Sequence, residues 1–462
     1  MNSDWIMIYF LPTVGFISAL VLFNHILSQR RSPPSTLAWL LTIFFIPYVG
    51  VPLYLMLGRR KMIKRTKAKN LPSRSLPRHA ENAELSPVLL SPLDNAIFPP
   101  TGGNRVRLLA TGEETYTEAR NLIMSATHHI FIATFILGKD ATGEAIITAL
   151  AKKAAGGVAV YLLLDALGSA RIHNRFLSPL LKAGGKVAFF MPMLHLPFRG
   201  RANLRNHRKM LIVDSRAALI GGMNFASDYM GPVLSEKHWK DLSLGMKGPE
   251  IAHLNEIFLS DWEFAAHEDI ASILPVPAPE GRTEGSVLQL IASGPDVQED
   301  TIREMIITAL FKAESRVWIT SPYFVPDELL AESLCMAARR GIDLQLILPR
   351  KSNHRLADLV RESYLTQLQQ AGAKVLLFQP GMMHAKAILI DDTVAVTGSA
   401  NMDMRSLLLN YELALGIYSK PVVREIEIWM ATLMNSCMIR NIPEQHPFGF
   451  FEGIARLLAP LL

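Results

Sequence analysis

A short motif that occurs twice constrains this 462-residue chain more than any other feature. Each copy has a His, a Lys two residues later, an Asp five residues after the Lys, and an Asn 17 residues after the His. The two sets are His207, Lys209, Asp214 and Asn224, and His384, Lys386, Asp391 and Asn401. Because chance does not produce two such sets with the same spacing, the chain is predicted to contain a duplicated unit.

The sequence outside the motifs repeats in the same order. In the first half, the strand-like segment 130–137 (IFIATFIL) is followed by 158–165 (VAVYLLLD). In the second half, 317–324 (VWITSPYF) is followed by 342–349 (IDLQLILP). Short buried strands separated by helical stretches are typical of α/β units. We therefore predict an α/β protein made of two tandem repeats.

The spacing within each motif favours phosphodiester chemistry. A His and a Lys two residues apart on an extended segment project to the same face. The segments that follow, 210–213 and 387–390, are apolar and are predicted to be buried strands. The imidazole can act as nucleophile or proton donor, while the ammonium neutralises phosphate oxygens. Asn224 and Asn401 are expected to donate hydrogen bonds to the phosphate.

The two aspartates complete the catalytic motif, but a structural role is expected for them. Asp214 and Asp391 lie at an odd offset from the preceding Lys, so they do not face the same phosphate. No cluster of His, Cys, Asp or Glu has metal-ligand spacing, and we expect no metal and no cofactor. Cys335 and Cys437 are interpreted as ordinary thiols rather than a disulfide.

Charge is distributed unevenly along the chain. Residues 1–80 hold eleven Lys or Arg and one acid, Asp4, a net charge of +10. Since the whole chain carries +6, the remaining residues carry −4. A nucleic-acid-binding body needs the opposite distribution, so a nuclease is disfavoured.

The N-terminal region is predicted to be a membrane anchor. Residues 5–27 and 36–57 are uncharged and largely apolar, and each is long enough to cross a hydrocarbon core of about 30 Å. Joined by the short connector 28–35, they are predicted to form a transmembrane hairpin, with kinks at Pro12 and Pro47. A cleaved signal peptide is the alternative for the first span, although the chain lacks the basic start that such a peptide needs.

The basic residues that flank these spans predict their orientation. Residues 59–69 contain seven Lys or Arg, against two in the connector. The positive-inside rule therefore places residues 59–462 in the cytoplasm. The same basic cluster is expected to attract anionic lipid headgroups.

Two further segments have an open interpretation. The first half carries about 11 extra residues near 192–206, which are apolar and basic. They form either a loop that dips into the headgroup region or a packed surface loop. The tail, 448–462, is either an interfacial helix or a segment docked on the body.

The residues around both motifs resemble those of the phospholipase D superfamily, in which HxKxxxxD occurs twice, and in particular those of bacterial cardiolipin synthases. The resemblance spans nearly the whole chain. It is carried by residues 205–209 (RNHRK), 221–224 (GGMN), 321–327 (SPYFVPD), 35–40 (STLAWL), 47–50 (PYVG) and 58–60 (GRR).

This resemblance implies an architecture and a set of roles. The two repeats would pack about a pseudo-two-fold axis and bring both motifs into one active site. One His would form a phosphohistidine and the other would protonate the leaving alcohol. The resemblance favours His207 as nucleophile and His384 as general acid/base, and the pseudo-symmetry leaves the reverse open. A later acid would orient each His, with Asp241 placed 34 residues after His207 and Glu412 placed 28 residues after His384.

The reaction implied is a phosphatidyl transfer between two phosphatidylglycerol molecules, giving cardiolipin and glycerol without a nucleotide or a metal. The expected partners are phosphatidylglycerol and anionic membrane lipids, with no nucleic acid, and the oligomeric state is open. The alternatives are a hydrolytic membrane phospholipase D, a phosphatidyltransferase with another donor or acceptor, and a non-catalytic membrane scaffold. The intact motifs argue against the scaffold.

These predictions divide the chain into five parts. They are a transmembrane helix over 5–27, a second over 36–57, a basic segment and linker over 58–104, a first phospholipase D-like repeat over 105–270 with its motif at 201–228, and a second repeat over 285–462 with its motif at 378–405.

Overall fold

The computed structural model describes residues 22–27, 33–57, 98–192, 203–271, 285–297 and 299–442. The chain divides into two compact units. The first comprises residues 1–62 and 192–204, and the second comprises 63–191 and 205–462. Most of the predicted first span, the basic cluster at 59–69, most of the loop near 192–206 and the tail at 448–462 lie outside the described residues.

The described part of the first unit is helical. Residues 22–27 form a short helix, followed by α1 (Pro33–Phe45) and α2 (Pro47–Leu57). The second predicted span is therefore two helices rather than one, and they meet at Ile46, next to the proline where a kink was expected. Among the residues described here, no helix reaches the length and apolarity needed to cross a membrane.

The second unit contains one large sheet and a separate two-stranded sheet, in which the strands at 324–325 and 402–403 pair in parallel. Its described strands are β1 (Thr101–Leu109), β2 (His129–Thr134), β3 (Ala159–Asp165), β4 (Lys186–Phe190), β5 (Met210–Val213), β6 (Ala217–Gly221), β7 (Ser243–Lys247), β8 (Ser286–Ser293), β9 (Arg316–Thr320), β10 (Phe324–Val325), β11 (Asp343–Pro349), β12 (Lys374–Phe378), β13 (Ala387–Ile390), β14 (Val394–Gly398), β15 (Met402–Asp403), β16 (Glu412–Ile417) and β17 (Cys437–Ile439).

Helices alternate with these strands. Those described are α3 (Gly112–Ser125), α4 (Ala141–Ala155), α5 (Asn174–Lys182), α6 (Ile251–Ala266), α7 (Thr301–Lys312), α8 (Glu328–Arg339), α9 (Arg355–Gln370), α10 (Met404–Leu408) and α11 (Lys420–Met434). Strand β1 begins at Thr101, four residues before the predicted start of the first repeat at 105.

Sheet order shows the duplication directly. Within the described chain, fifteen strands run in the order β17-β12-β11-β9-β13-β14-β16-β8-β1-β7-β6-β5-β2-β3-β4. Reading outward from the centre, β1-β7-β6-β5-β2-β3-β4 corresponds strand by strand to β8-β16-β14-β13-β9-β11-β12. The two series join where β1 pairs antiparallel with β8, at Thr101↔Leu288 and Asn104↔Ser286. The prediction of two tandem α/β repeats is confirmed.

Alternation along the strands sends side chains to both faces of the sheet. In the first repeat, Ile130 and Ile132 join the apolar core that contains residues of α3, α4 and α5. Phe131, between them, points to the other face and stacks on Phe258 of α6, with ring centroids 4.6 Å apart. The first half of the sheet is therefore buried on both faces, which accounts for the near-continuous apolar runs in its strands.

Candidate active site

Each motif lies at the start of a buried strand in the middle of its own half of the sheet. Lys209 immediately precedes β5, and Lys386 immediately precedes β13. Every residue of these two strands is buried, which confirms the strands predicted over 210–213 and 387–390. His207, Lys209, His384 and Lys386 are themselves buried.

The two repeats exchange backbone hydrogen bonds just ahead of each motif. The N–H of His207 donates to the carbonyl of Tyr411 at 2.9 Å, and the N–H of Tyr411 donates to the carbonyl of Arg205 at 2.9 Å. In the pseudo-symmetric position, the N–H of His384 donates to the carbonyl of Lys240 at 2.6 Å. Tyr411 and Lys240 each precede an acidic residue in the sequence. This exchange therefore carries the acid of one repeat to the His of the other.

The acid–histidine pairs are crossed between repeats. Nδ1 of His207 lies 3.0 Å from Oε1 of Glu412, and Nδ1 of His384 lies 2.7 Å from Oδ2 of Asp241. Both predicted acids contact a motif histidine, but the assignment of each acid to the His of its own repeat was wrong. Proximity along the chain does not determine the pairing, because each acid lies next to a residue that hydrogen-bonds the opposite motif.

Each lysine ammonium is held beside its own histidine. Nζ of Lys209 donates to the carbonyl of His207 at 2.6 Å. Nζ of Lys386 donates to the carbonyl of His384 and lies 2.7 Å from Nδ1 of the same ring. Burial lowers the pKa of Lys209 to about 7 and that of Lys386 to about 8. A bound phosphodiester would favour the charged form of both lysines.

Burial also shifts the histidines and their acids. It lowers the pKa of His207, and it lowers that of His384 well below the usual value, with Lys386 and Lys209 adding to the effect. Burial raises the pKa of Asp241 to about 6. For Glu412 the effect of burial is outweighed by His207, by Lys209 and by the Ser399 hydroxyl, so its pKa is lowered. In the free site both imidazoles are therefore neutral and Glu412 is ionised.

The motif asparagines are buried close to the segments that follow β2 and β9. Oδ1 of Asn224 accepts from the N–H of Ile136 at 3.1 Å, which fixes the side-chain amide. Asn401 hydrogen-bonds Asp403, whereas its Oδ1 is buried and has no hydrogen-bond partner in the described structure. Within the described structure these hydrogen bonds involve no motif His or Lys, so the role of both amides as phosphate ligands remains a prediction.

The motif aspartates lie at the far end of the motif strands. The carboxylate of Asp214 accepts from the backbone N–H groups of Thr127, His128 and His129, each at 2.8 Å, and from the Thr127 hydroxyl at 2.8 Å. Asp391 accepts in the same way from residues 314–316. Both residues adopt left-handed backbone conformations, with φ of 52° and 51°. These are the contacts of structural residues that anchor the turn leading into β2 or β9.

Sequence reasoning missed a buried ion pair behind the first motif. Both Oδ1 and Oδ2 of Asp261 lie 2.8 Å from Nη1 of Arg208, and the same guanidinium donates from Nε to the carbonyl of Glu412 at 3.3 Å. The second motif has Ala385 at the position of Arg208. No local pattern points to Asp261, which lies on α6 and meets the motif only in the folded protein.

Aromatic rings surround the two histidines unequally. Phe135 contacts His207 edge-on, with ring centroids 4.9 Å apart. Among the described residues, three aromatic rings lie near the His384 ring, those of Tyr229 at 5.0 Å, Trp239 at 5.3 Å and Tyr323 at 6.4 Å between centroids. These rings contribute to the desolvation that keeps the imidazoles neutral.

The arrangement suits nucleophilic displacement at phosphorus. It supplies two neutral imidazoles, a carboxylate partner for each, and two ammonium groups beside them. Within the described ranges, no group of three or more His, Cys, Asp or Glu side chains is arranged to hold a metal ion.

Comparison with known proteins gives consistent matches. The family model described as "Cardiolipin synthase, PLD-like domain" matches residues 119–262 and 306–434, and that described as "Phospholipase_D-nuclease N-terminal" matches residues 16–59. Cardiolipin synthase 1 of Bacillus cereus is 32% identical over 100% of this chain and 96% of its own length. Cardiolipin synthase A of Pseudomonas aeruginosa is 31% identical over 98% of this chain and 95% of its own length.

Solved structures share the fold at lower sequence identity. Phosphatidylserine synthase of Haemophilus influenzae superposes with a TM-score of 0.59 at 15% identity, covering 78% of this chain and 95% of that one. Polyphosphate kinase of Porphyromonas gingivalis gives a TM-score of 0.50 at 16% identity, covering 76% of this chain and 52% of that one. These likenesses establish the fold alone.

Proposed function

Because the chain belongs to the phospholipase D-like cardiolipin synthases, we propose that it joins two phosphatidylglycerol molecules through a phosphohistidine on His207. It is a phosphatidyltransferase of the phospholipase D type. The observation that supports this mechanism is the crossed pair of buried His–carboxylate contacts, each beside a buried Lys. The histidine of one pair serves as the nucleophile, and the histidine of the other pair serves as the proton donor.

In the first step, Nε2 of neutral His207 attacks the phosphorus of one phosphatidylglycerol. The N–P bond forms, the bond from phosphorus to the glycerol oxygen breaks, and His384 gives that oxygen a proton. Positive charge develops on the His207 ring, and the ionised Glu412 at 3.0 Å stabilises it.

His384 must carry a proton at that moment, although its pKa is low in the free site. The cause of the lowering, after burial, is the charge of Lys386 and Lys209. The bound phosphodiester offsets both charges and raises the proton affinity of His384. Substrate binding therefore prepares the general acid.

In the second step, the terminal hydroxyl of another phosphatidylglycerol attacks the phosphohistidine. His384 accepts the hydroxyl proton, the O–P bond forms, and the N–P bond breaks to leave cardiolipin and free His207. Lys209, Lys386, Asn224 and Asn401 bind the phosphate oxygens in both steps. Since one phosphodiester is exchanged for another, the transfer is reversible.

The N-terminal region attaches the enzyme to the bacterial cell membrane in this proposal, with the body from residue 59 on the cytoplasmic face. The match of residues 16–59 to the N-terminal family model supports this attachment, as does the absence of charge in 5–27 and 36–57. A site at the membrane favours a lipid alcohol over water as acceptor.

The test is incubation of the detergent-purified enzyme with phosphatidylglycerol alone, followed by separation of the lipids. Cardiolipin and free glycerol in equal amounts are expected, and His207→Ala should abolish both products. Mass spectrometry of a wild-type reaction stopped by rapid denaturation in dodecyl sulfate at neutral pH, where the N–P bond survives, should locate a phosphatidyl group on the peptide that contains His207. A phosphatidyl group on His384 would reverse the two roles, and phosphatidic acid without cardiolipin would identify a phospholipase D.

A further inference from the structure

The two helices at the end of the N-terminal region fold back on each other. Trp39 of α1 and Tyr54 of α2 make an edge-on ring contact, with centroids 5.2 Å apart. In one continuous helix these residues would be separated by about 22 Å along the axis. Tyr54 also packs with Ile26 and Ile43 in a small apolar core, and its side chain is almost fully buried. The segment 33–57 is therefore a helical hairpin rather than a bent rod.

Two residues explain the reversal. Pro47 is the first residue of α2, a position where proline is favoured because its missing N–H would have no partner in the helix. Gly50 lies against α1, and a Cβ atom there would come within 2.7 Å of the Thr42 carbonyl oxygen and 2.9 Å of the Ile43 Cα. Glycine at this position thus permits the close approach of the two helices.

The tip of the hairpin is exposed and apolar. Phe44 and Phe45 are 69% and 72% exposed, and Ile46, Tyr48 and Val49 are each more than half exposed. No charged residue occurs from 33 to 57, and the hydroxyl of Thr42 donates to the Ala38 carbonyl at 2.7 Å. An aromatic and aliphatic tip on an uncharged stem fits the hydrocarbon interior of a bilayer.

Length and flanking charge indicate how the hairpin would enter the membrane. The 13 residues of α1 extend about 20 Å, short of the ~30 Å hydrocarbon core. Arg30 and Arg31 precede the hairpin, and the seven basic residues of 59–69 follow it. If the hairpin returns to the face from which it entered, all nine basic residues lie on one side, as the positive-inside rule prefers.

We infer that residues 33–57 are a re-entrant hairpin, which enters the bilayer from the cytoplasmic face and returns to that face without crossing. The lipid acyl chains of the bilayer surround the exposed tip of this hairpin. The inference rests on the proposed membrane attachment and revises its topology. The connector then shares the face of residues 59–69.

The test is labelling of single cysteines with a membrane-impermeant maleimide, in full-length protein whose Cys335 and Cys437 are replaced by Ala. Gln29→Cys reports the connector and Lys61→Cys reports the segment after the hairpin. Lys182→Cys, at an exposed position at the end of α5, is the matched control for the cytoplasmic body. All three should be labelled in inverted vesicles and none in intact spheroplasts.

Labelling of Gln29→Cys in spheroplasts while Lys61→Cys stays protected would overturn the re-entrant hairpin and establish a span. Release of the protein from membranes by alkaline carbonate would instead refute the attachment on which the inference rests. A second variant tests the cause. Pro47→Ala with Gly50→Leu removes the break and the close approach, so Gln29→Cys should become accessible in spheroplasts, and an unchanged pattern would contradict the role of these two residues.

Discussion

Substitution of the two acids can distinguish crossed acid–histidine pairing from pairing within each repeat. Glu412→Gln should impair the step carried out by His207, and Asp241→Asn should impair the step carried out by His384. The reason is contact distance, since Glu412 lies 3.0 Å from His207 and Asp241 lies 2.7 Å from His384. Both substitutions preserve size and leave a hydrogen-bonding group in place.

The magnitude follows from the charge that each carboxylate faces. A full imidazolium–carboxylate attraction at 3.0 Å amounts to about 5.5 kcal/mol with an effective dielectric of about 20. If about half of the ring charge has developed in the transition state, Glu412→Gln removes about 2.8 kcal/mol, which corresponds to a rate reduction of about 100-fold. Asp241→Asn should give a loss of similar size with phosphatidylglycerol as donor.

A phosphatidyl donor with a p-nitrophenol leaving group distinguishes the two steps. Such a leaving group departs without protonation, so formation of the phosphohistidine no longer needs the general acid. Stopped-flow absorbance should show a burst of nitrophenolate in His384→Ala and Asp241→Asn close to that of the wild type. His207→Ala should show no burst, and Glu412→Gln should show one slowed about 100-fold.

Pairing within each repeat would be the correct description if Asp241→Asn lost the burst together with His207→Ala while Glu412→Gln retained it. If the two histidines have exchanged roles, His384→Ala should abolish the burst and Asp241→Asn should slow it, while Glu412→Gln retains it. That result would still support the crossed pairing. Glu250→Gln is the matched control, because Glu250 contacts His253 at 3.2 Å in a buried pair that no motif residue joins. The Glu250→Gln variant should show the same nitrophenolate burst as the wild type.

Three further outcomes are expected. Arg208→Met leaves the buried carboxylate of Asp261 without its guanidinium, and chemical denaturation in detergent should show a loss of about 3–5 kcal/mol in the free energy of unfolding. Asp214→Asn should lower the free energy of unfolding by about 2 kcal/mol at pH 7. Burial opposes ionisation of Asp214, but its hydrogen bonds outweigh burial and lower its pKa. The carboxylate therefore stabilises the fold at pH values above its unfolded pKa. The difference in free energy of unfolding between Asp214→Asn and the wild type should narrow as the pH falls below about 4. Burial raises the pKa of Asp241 to about 6, and His384 needs the ionised carboxylate. The rate of cardiolipin formation should therefore decline as the pH falls below about 6. In the Asp241→Asn variant this acidic decline in the pH–rate profile should be absent.

The sequence by itself determined the repeat and the chemistry of the motif residues. Hydrophobicity and β propensity placed Met210–Val213 and Ala387–Ile390 in buried strands, because both are local properties, as is the side-chain alternation along an extended segment. The spacing of two between His and Lys follows from the same alternation. The odd offset of Asp214 and Asp391 correctly excluded them from the histidine side of the motif.

The tertiary structure alone decided which groups meet. Asp241 and Glu412 were recognisable as histidine partners, yet the exchange of backbone hydrogen bonds at Lys240 and Tyr411 assigns each to the other repeat. A contact between groups 143 or 205 residues apart depends on how the repeats pack, which leaves no local pattern. The same holds for Arg208 and Asp261, whose partnership forms only when α6 covers the sheet.

The N-terminal hairpin shows the same division within a short segment. The sequence gives the length of the apolar segment 36–57 and the position of Pro47 within it. The hydrophobicity of a segment does not show whether the chain continues or reverses its direction at that proline. Whether the helices on either side of Ile46 continue or fold back depends on the contact between Trp39 and Tyr54 and on the space that Gly50 leaves. That contact joins residues 15 positions apart, so it became visible only in three dimensions.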